Sequence, residues 1–547
     1  MKRNFLVLAF LIGLITSLLG QTNKVEIKVR DFEGHLAFLS SGWFEGRETG
    51  ENGGYMAADY IASQMNRMGL LPIGDRVAYQ SGQTSLLKMP LVGSDQVYNQ
   101  FFPLERYGAG VASLGLEITK GGQSIRYLLK DSTDFRFVLR SGSFELDASP
   151  VFVGYGVASE ELGYDDYKGI DVRGKVVVLI SGFPGQDDVN SLAWKKVGSV
   201  LERKGFSNEE KAQIALKNGA SMVIEVRNPL IKSSSQMPLT GTAIKPLSIY
   251  ADGVSDEQYS DLEFCFPNSG DSEIPWAKLN RYWASRLFGQ GETRLEDWIL
   301  QNDKSARSSS FVFNDTRIFS KYQVRKSNIM VSNLLGMIKG EDTTKTIVIG
   351  AHYDHLGRRG DGIYYGSDDN ASGTAGMLSL AEYWSKRDAK PKYNLLFAAW
   401  TGEEKGKLGS KWFVKELKSL RSEIILYMNF DMISRSSPFD VDCDSISVGI
   451  PQNCTNLKTQ VGRLNAQIAA PFKLDQWNSG AHGGSDYAPF IGAGVPAVAF
   501  FSGFHADYHT PTDRFYKADL TKMNRIVNLA NQIIIWALEN QKEIGKP

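Results

Sequence analysis

The last third of the chain alternates short apolar runs with amphipathic stretches, and few folds accommodate that rhythm. The apolar runs are Thr346 to Gly350, Asn394 to Trp400, Ile424 to Met428 and Pro496 to Phe501. The amphipathic stretches are Thr374 to Ser385, Ser410 to Leu417 and Asp519 to Glu539. This alternation predicts an α/β fold, a mixed, mostly parallel sheet flanked by helices on both faces. In open α/β sheets ligands bind beyond the carboxyl ends of the strands. Residues that follow each apolar run are therefore the first candidates for chemistry.

Those positions carry metal-binding side chains. The chain has six histidines, and four of them, His352, His355, His505 and His509, follow the first or last of these runs beside acidic residues. In Gly350-Ala-His-Tyr-Asp-His-Leu-Gly357, His352 offers an imidazole nitrogen to a metal, and Asp354 could hold its other nitrogen and fix the tautomer. Gly366-Ser-Asp-Asp-Asn-Ala-Ser-Gly373 runs into a predicted helix, where an acid can simply cap the first turn; a cation would also relieve the repulsion between Asp368 and Asp369. Thr401-Gly-Glu-Glu-Lys405 follows the next run, and its adjacent acids can divide between metal and water. Asp431, in Asn429-Phe-Asp-Met-Ile433, is a lone acid in an apolar run, and a buried unpaired carboxylate is costly. Asp507-Tyr-His-Thr-Pro-Thr-Asp513 brings His509 after the last run.

Taken in order, these five motifs resemble those of the M28 peptidases, the co-catalytic zinc aminopeptidases. The resemblance extends to Phe44-Glu-Gly-Arg-Glu-Thr-Gly50 near the start. It implies two Zn2+ ions bridged by Asp369, one completed by His352 and Asp431 and the other by Glu404 and His509. It further implies Glu403 as general base and Asp354 as the residue orienting His352. Activated water would attack the peptide bond, with no nucleophilic Ser or Cys. Ser485 and Asp486, in Gly484-Ser-Asp-Tyr-Ala-Pro489, match a family loop near the site and, with Tyr508 and His505, are expected to contact substrate. His355 and His482 are read as loop supports.

The middle of the chain reads differently. Between about Gly110 and Phe311, short β-like runs such as Val151 to Tyr155 and Lys175 to Ile180 are separated by Gly- and Asp-rich turns and interrupted by one helix, Glu209 to Asn218. Its loops carry no concentration of His, Cys or paired carboxylates, so no chemistry is expected there. Val153-Gly-Tyr-Gly156, Tyr164-Asp-Asp-Tyr167 and Asp171-Val-Arg-Gly-Lys175 are similar to the protease-associated (PA) domain often inserted in this family. The expected organisation is a signal peptide at 1–20, the first part of the peptidase domain at 21–109, a PA-like insert with a connecting segment at 110–311, and the catalytic domain at 312–547. Within the first part, Ala57, Tyr60, Ile61, Met65 and Met68 recur at helical spacing up to Gly69, and Phe44 to Gly54 reads as a loop.

Charge and cysteine content narrow the remaining choices. Lys plus Arg and Asp plus Glu both number 61, so no overall field draws the chain to nucleic acid or to an anionic membrane, and the expected partners are peptides. Lys2 and Arg3 precede a largely apolar run to Leu19, which reads as a secretory signal for export, with an uncleaved anchor as the alternative. Three cysteines are too few for a disulfide framework; Cys443 and Cys454 could pair or remain thiols. Three activities stay open at this point. The first is an aminopeptidase, or a carboxypeptidase or dipeptidase of the same family. The second is a one-zinc glutaminyl cyclase, and the third a non-catalytic binding protein.

Overall fold

The computed structural model describes residues 26–76, 96–131, 133–138, 142–204, 206–230, 262–267, 274–289, 293–417, 420 and 422–547. The expected signal at 1–20 lies outside the described residues. Among the described residues no helix is long and apolar enough to cross a membrane.

The main sheet is built from β1 (Asn99–Lys120), β2 (Thr316–Ile338), β3 (Asp342–His352), β4 (Tyr393–Trp400), β5 (Glu423–Phe430), β6 (Ser445–Ile450), β7 (Lys473–Asn478) and β8 (Ala497–Phe501). Their order across the sheet is β1-β2-β4-β3-β5-β8-β6-β7. The centre, β4-β3-β5-β8, is parallel, whereas β1 and β2 run antiparallel to their neighbours and β6 lies antiparallel to β8. All four predicted strands are present and lie side by side at that centre. Strands β6 and β7, which the sequence reading did not find, form the margin, and β7 carries only exposed and half-buried residues.

Side chains alternate across this sheet with period two, and both faces are covered. Ile347, Ile349, Leu395, Phe397 and Met428 pack on one face with Leu378, Ile526 and Ile533 from α3 (Gly373–Ser385) and α7 (Leu520–Glu539). In chain order α1 (Arg30–Leu39) and α2 (Asn52–Arg67) precede α3, and α4 (Leu408–Lys415), α5 (Thr455–Gln467) and α6 (Tyr487–Gly492) lie between α3 and α7. Val348, Leu396, Trp400 and Tyr427 pack on the other face with Phe413 of α4 and Phe490 of α6. This two-sided burial explains why the central strands read as continuous apolar runs. Each such large side chain contributes roughly 1.5–3 kcal/mol when fully buried.

The residues at helical spacing from Ala57 to Met65 lie in α2, and α1 precedes them across a loop. His35 of α1 is buried and its Nδ1 lies 2.8 Å from the Tyr60 hydroxyl. Burial pushes its pKa down to about 4, with the charges of Glu382 and Arg67 acting in opposite directions. A histidine lowered on folding favours the neutral form, so its contribution is complete above the unfolded pKa and is lost as pH falls from about 6.5 toward 4. Denaturant titrations at pH 7 and pH 4 should show this loss, on the order of 3 kcal/mol, and His35→Gln should flatten that part of the profile. An unchanged slope in the variant would remove His35 from the acid response.

Beyond the main sheet, β1 and β2 continue together as a long antiparallel ribbon. A six-stranded sheet accompanies it, in the order Phe311–Val312, Pro150–Phe152, Val176–Ile180, Met222–Val226, Trp276–Leu279 and Phe135–Phe137. Its central strands are fully buried. The expected helix there occupies Asn208–Lys217, started by a capping box between Ser207 and Glu210. Among the described residues all three cysteines are free thiols, so Cys443 and Cys454 are not paired.

Candidate metal centre

Each central strand delivers one part of the site at its carboxyl end. His352 is the last residue of β3, Glu403 and Glu404 follow β4, Asp431 follows β5 and His509 lies beyond β8. Asp369 sits in the turn that leads into α3. The side chains converge in two groups that share Asp369: His352, Asp369 and Asp431 in one, and His355, Asp369, Glu404 and His509 in the other. Within each group the donor atoms lie within 4.8 Å of one another. His352 Nε2 is 3.3 Å from Asp431 Oδ1 and 3.5 Å from Asp369 Oδ1. His509 Nε2 is 3.0 Å from Asp369 Oδ2 and 3.2 Å from Glu404 Oε2. Thus the structure brings together all five residues expected as ligands.

Sequence reasoning missed His355 as a member of this cluster. Its Nδ1 lies 2.8 Å from Glu404 Oε1 and 3.7 Å from Asp369 Oδ2. The available signal was its spacing, three residues after His352 on the same strand end.

The turn holding Asp369 is fixed by its neighbours. Asn370 donates to the Phe430 carbonyl at 2.8 Å and accepts from the amides of Gly373 and Met432, tying the Asp369 turn to the end of β5. Asp513 accepts from the amides of Asp368 and Asp369. Gly366, at φ +55°, must be glycine, because a Cβ there would meet the Asp369 carbonyl at 2.2 Å and the His355 ring at 2.5 Å. His509 also lies in the left-handed region, at φ 54°, a conformation that residues at functional sites hold more often than others.

Asp354 meets His352 through its backbone carbonyl rather than through the expected carboxylate. Its carboxylate is 3.8 Å from His352 Nδ1, which lies closer to the Asp354 carbonyl, at 3.2 Å. The same carboxylate accepts from the amides of Glu403 and Glu404 at 3.1 and 3.4 Å and from the Thr49 hydroxyl at 2.9 Å. One buried acid therefore joins the end of β3 to the Glu403-Glu404 turn.

The electrostatics of the site favour a cation. Burial, then the charge of Glu404, pushes Asp369 up to about 7. Burial pushes Glu403 well above the carboxylate range. Burial would lower His509, yet Glu404 and Asp369 beside it hold it up at about 10. His509 Nε2 is buried among carboxylate oxygens and makes no hydrogen bond. Nitrogen and oxygen donors crowded in this way fit Zn2+, which accepts imidazole and carboxylate ligands with little geometric demand of its own.

The residues expected near substrate lie at different depths. Asp486 is fully buried, accepts from the Ser410 hydroxyl, and is raised to about 7 by burial. The Ser485 hydroxyl accepts from Asn429 Nδ2 at 3.0 Å beneath the end of β5. His505 is buried behind the site, 3.2 Å from Asp368 Oδ2, and Asp368 in turn accepts from Ser434. Tyr508 is half-buried and stacks on the His509 ring, centroids 3.8 Å apart.

The fold gathers imidazole and carboxylate donors at the carboxyl ends of its central strands. Residues 333–534 match the profile of peptidase family M28. Leupeptin-inactivating enzyme 1 of Streptomyces exfoliatus is 34% identical over 179 residues, 32% of this chain and 36% of that protein. The chain spans about a third of the length of such curated relatives. Among solved structures, an aminopeptidase from Aneurinibacillus sp. strain AM-1 shares the fold with a TM-score of 0.57 at 18% identity, covering 94% of each chain. BSAP, a zinc aminopeptidase from Bacillus subtilis, does so with a TM-score of 0.52 at 18% identity, covering 94% of this chain and 96% of its own.

Proposed function

We propose that the protein is an exported di-zinc aminopeptidase that releases single residues from the amino ends of peptides. The observation that carries this reading is the pair of donor groups sharing Asp369, with Glu403 beside them. His352 and Asp431 would hold one Zn2+, Glu404 and His509 the other, and Asp369 both. Bound zinc would supply Lewis acidity, polarising the scissile carbonyl and lowering the pKa of an attacking water. Glu403 accepts the proton of that water and delivers it to the leaving amine, work that suits a carboxyl raised above its ordinary range. Asp354 keeps the Glu403-Glu404 turn and His352 in fixed relation through its hydrogen bonds to both strand ends. Tyr508, stacked on His509, forms part of the substrate-facing wall.

Two donor groups, rather than one, favour this reading over a one-zinc cyclase. Export rests on the signal-like segment 1–20. The segment 110–311, with its own six-stranded sheet, is taken as a PA-like insert that carries no part of the donor groups. A panel of amino-acid p-nitroanilides, with the amine free or blocked, tests the activity. Hydrolysis of free-amine substrates alone, abolished by a chelator and restored by Zn2+, is expected. Activity on blocked substrates, or indifference to the chelator, would overturn the proposal.

A further inference from the structure

Among the described residues Arg47 is the largest buried cation near the site, and its hydrogen bonds all go to backbone carbonyls. Its side chain is 1% exposed. Nε donates to the Tyr353 carbonyl at 2.7 Å, one terminal nitrogen to the carbonyls of Leu39 and Tyr365 at 2.6 and 2.8 Å, and the other to that of Gly366 at 2.7 Å. Tyr353 directly follows the ligand candidate His352, and Gly366 opens the turn that carries Asp369. Thr49 reaches Asp354 at 2.9 Å, and Glu48, between them, accepts from Lys405 at 2.9 Å and from Arg359 at 3.0 Å. Three consecutive residues near the start of the chain thus grip the β3 end, the Asp369 turn and the Glu403-Glu404 turn, each more than 300 positions away.

Burying a cation without a contacting counterion is unfavourable unless something nearby compensates. Burial brings Arg47 down to about 10, and the charges that offset this are those of Asp369, Asp513, Asp354 and Glu404, all part of the site or of the turns that hold it. A planar fork with donors on three nitrogens can address four carbonyls at fixed angles, whereas an ammonium can reach fewer of them and sets no plane.

We infer that Arg47 is a positioning residue for the metal centre, setting the distance between the His352 loop and the Asp369 turn so that Asp369 serves both donor groups. This inference rests on the metal-centre reading above. It goes beyond the ligands and the proton carrier, because it makes metal retention depend on a segment far from every ligand in sequence.

The test compares Arg47→Lys and Arg47→Ala with wild type in the full-length chain. Zinc retention is measured against a chromophoric chelator, kcat and KM on a p-nitroanilide, and thermal stability by scanning fluorimetry. Arg47→Lys is expected to weaken zinc retention and lower kcat by about 10–100-fold, the range for residues that orient metal ligands, while KM changes by less than about threefold because substrate contacts are intact. Guanidinium at millimolar concentration is expected to restore part of the kcat of Arg47→Ala. If Arg47 serves folding alone, the folded fraction of either variant will keep wild-type zinc retention and kcat, and guanidinium will change nothing; that result overturns the inference. Should Arg47→Ala not fold, Arg47→Lys alone decides the matter by the same zinc and kcat readings. The zinc measurement is independent of turnover, so a wild-type protein that binds zinc without hydrolysing peptides would refute the proposed activity and leave the positioning role standing.

Discussion

Glu403→Gln is expected to lower kcat by roughly 10²–10⁴-fold, the usual contribution of a positioned acid-base group, with zinc content unchanged. The amide keeps the size and polarity of the side chain but can neither accept a proton from water nor return it to the leaving amine. Glu403 belongs to neither donor group, so the ligands should be untouched. Its backbone amide still donates to Asp354, so the turn should hold. Steady-state kinetics together with metal analysis of the same preparation would check both halves. Near-normal turnover would remove Glu403 from the mechanism, whereas lost zinc would show that it is a ligand.

The second large effect is expected at the shared acid. Asp369→Asn should reduce zinc binding at both positions and take activity to background, because each donor group loses a carboxylate and the bridge between them. The same substitution should stabilise chelator-treated protein. Asp369 is raised to about 7 by burial and by Glu404, so folding favours its protonated form. The stability this provides is complete below the unfolded pKa and is lost as pH rises from about 4 through 7. At pH 8 with chelator, Asp369→Asn should therefore be more stable than wild type, and the difference should fade as pH is lowered. Denaturant titrations across this range measure it. A variant that keeps full zinc content, or one less stable than wild type under chelation at pH 8, would contradict the shared-ligand arrangement.

Much of this site was legible because chemistry and topology coincide in the sequence. His352, Glu404, Asp431 and His509 each follow a continuous apolar run, and such runs become central parallel strands whose carboxyl ends open on one edge of the sheet. The marginal strands β6 and β7 escaped for the converse reason. Polar residues break their apolar pattern: Ser445 and Ser447 stand in β6, and β7 carries Lys473, Asp475, Gln476 and Asn478 among its six residues. The ribbon of β1 and β2 was equally hidden, since its long pairing joins residues some 200 positions apart and leaves no local signature.

Roles within the site divide in a similar way. The resemblance implied which acids would serve a metal, and the pair Asp368 and Asp369 was a candidate because adjacent carboxylates are costly to bury together without a cation. It did not reveal that Asp368 faces away, toward His505 and Ser434, while Asp369 faces both donor groups. A turn that presents one acid forward and its neighbour backward is set by contacts with Asp513 and Asn370, which arrive from other parts of the chain.

By itself, then, the sequence determined the α/β architecture of the last third, because hydrophobic periodicity is a local property, and its motifs carried the resemblance that implied the five donors. Only the tertiary structure decided that His355 joins the second group, that Asp354 binds two backbone amides beside its histidine, and that Arg47 holds the loops from behind. Those relations depend on angles and distances between segments remote in the chain. Packing fixes such distances, and no run of neighbouring residues encodes them.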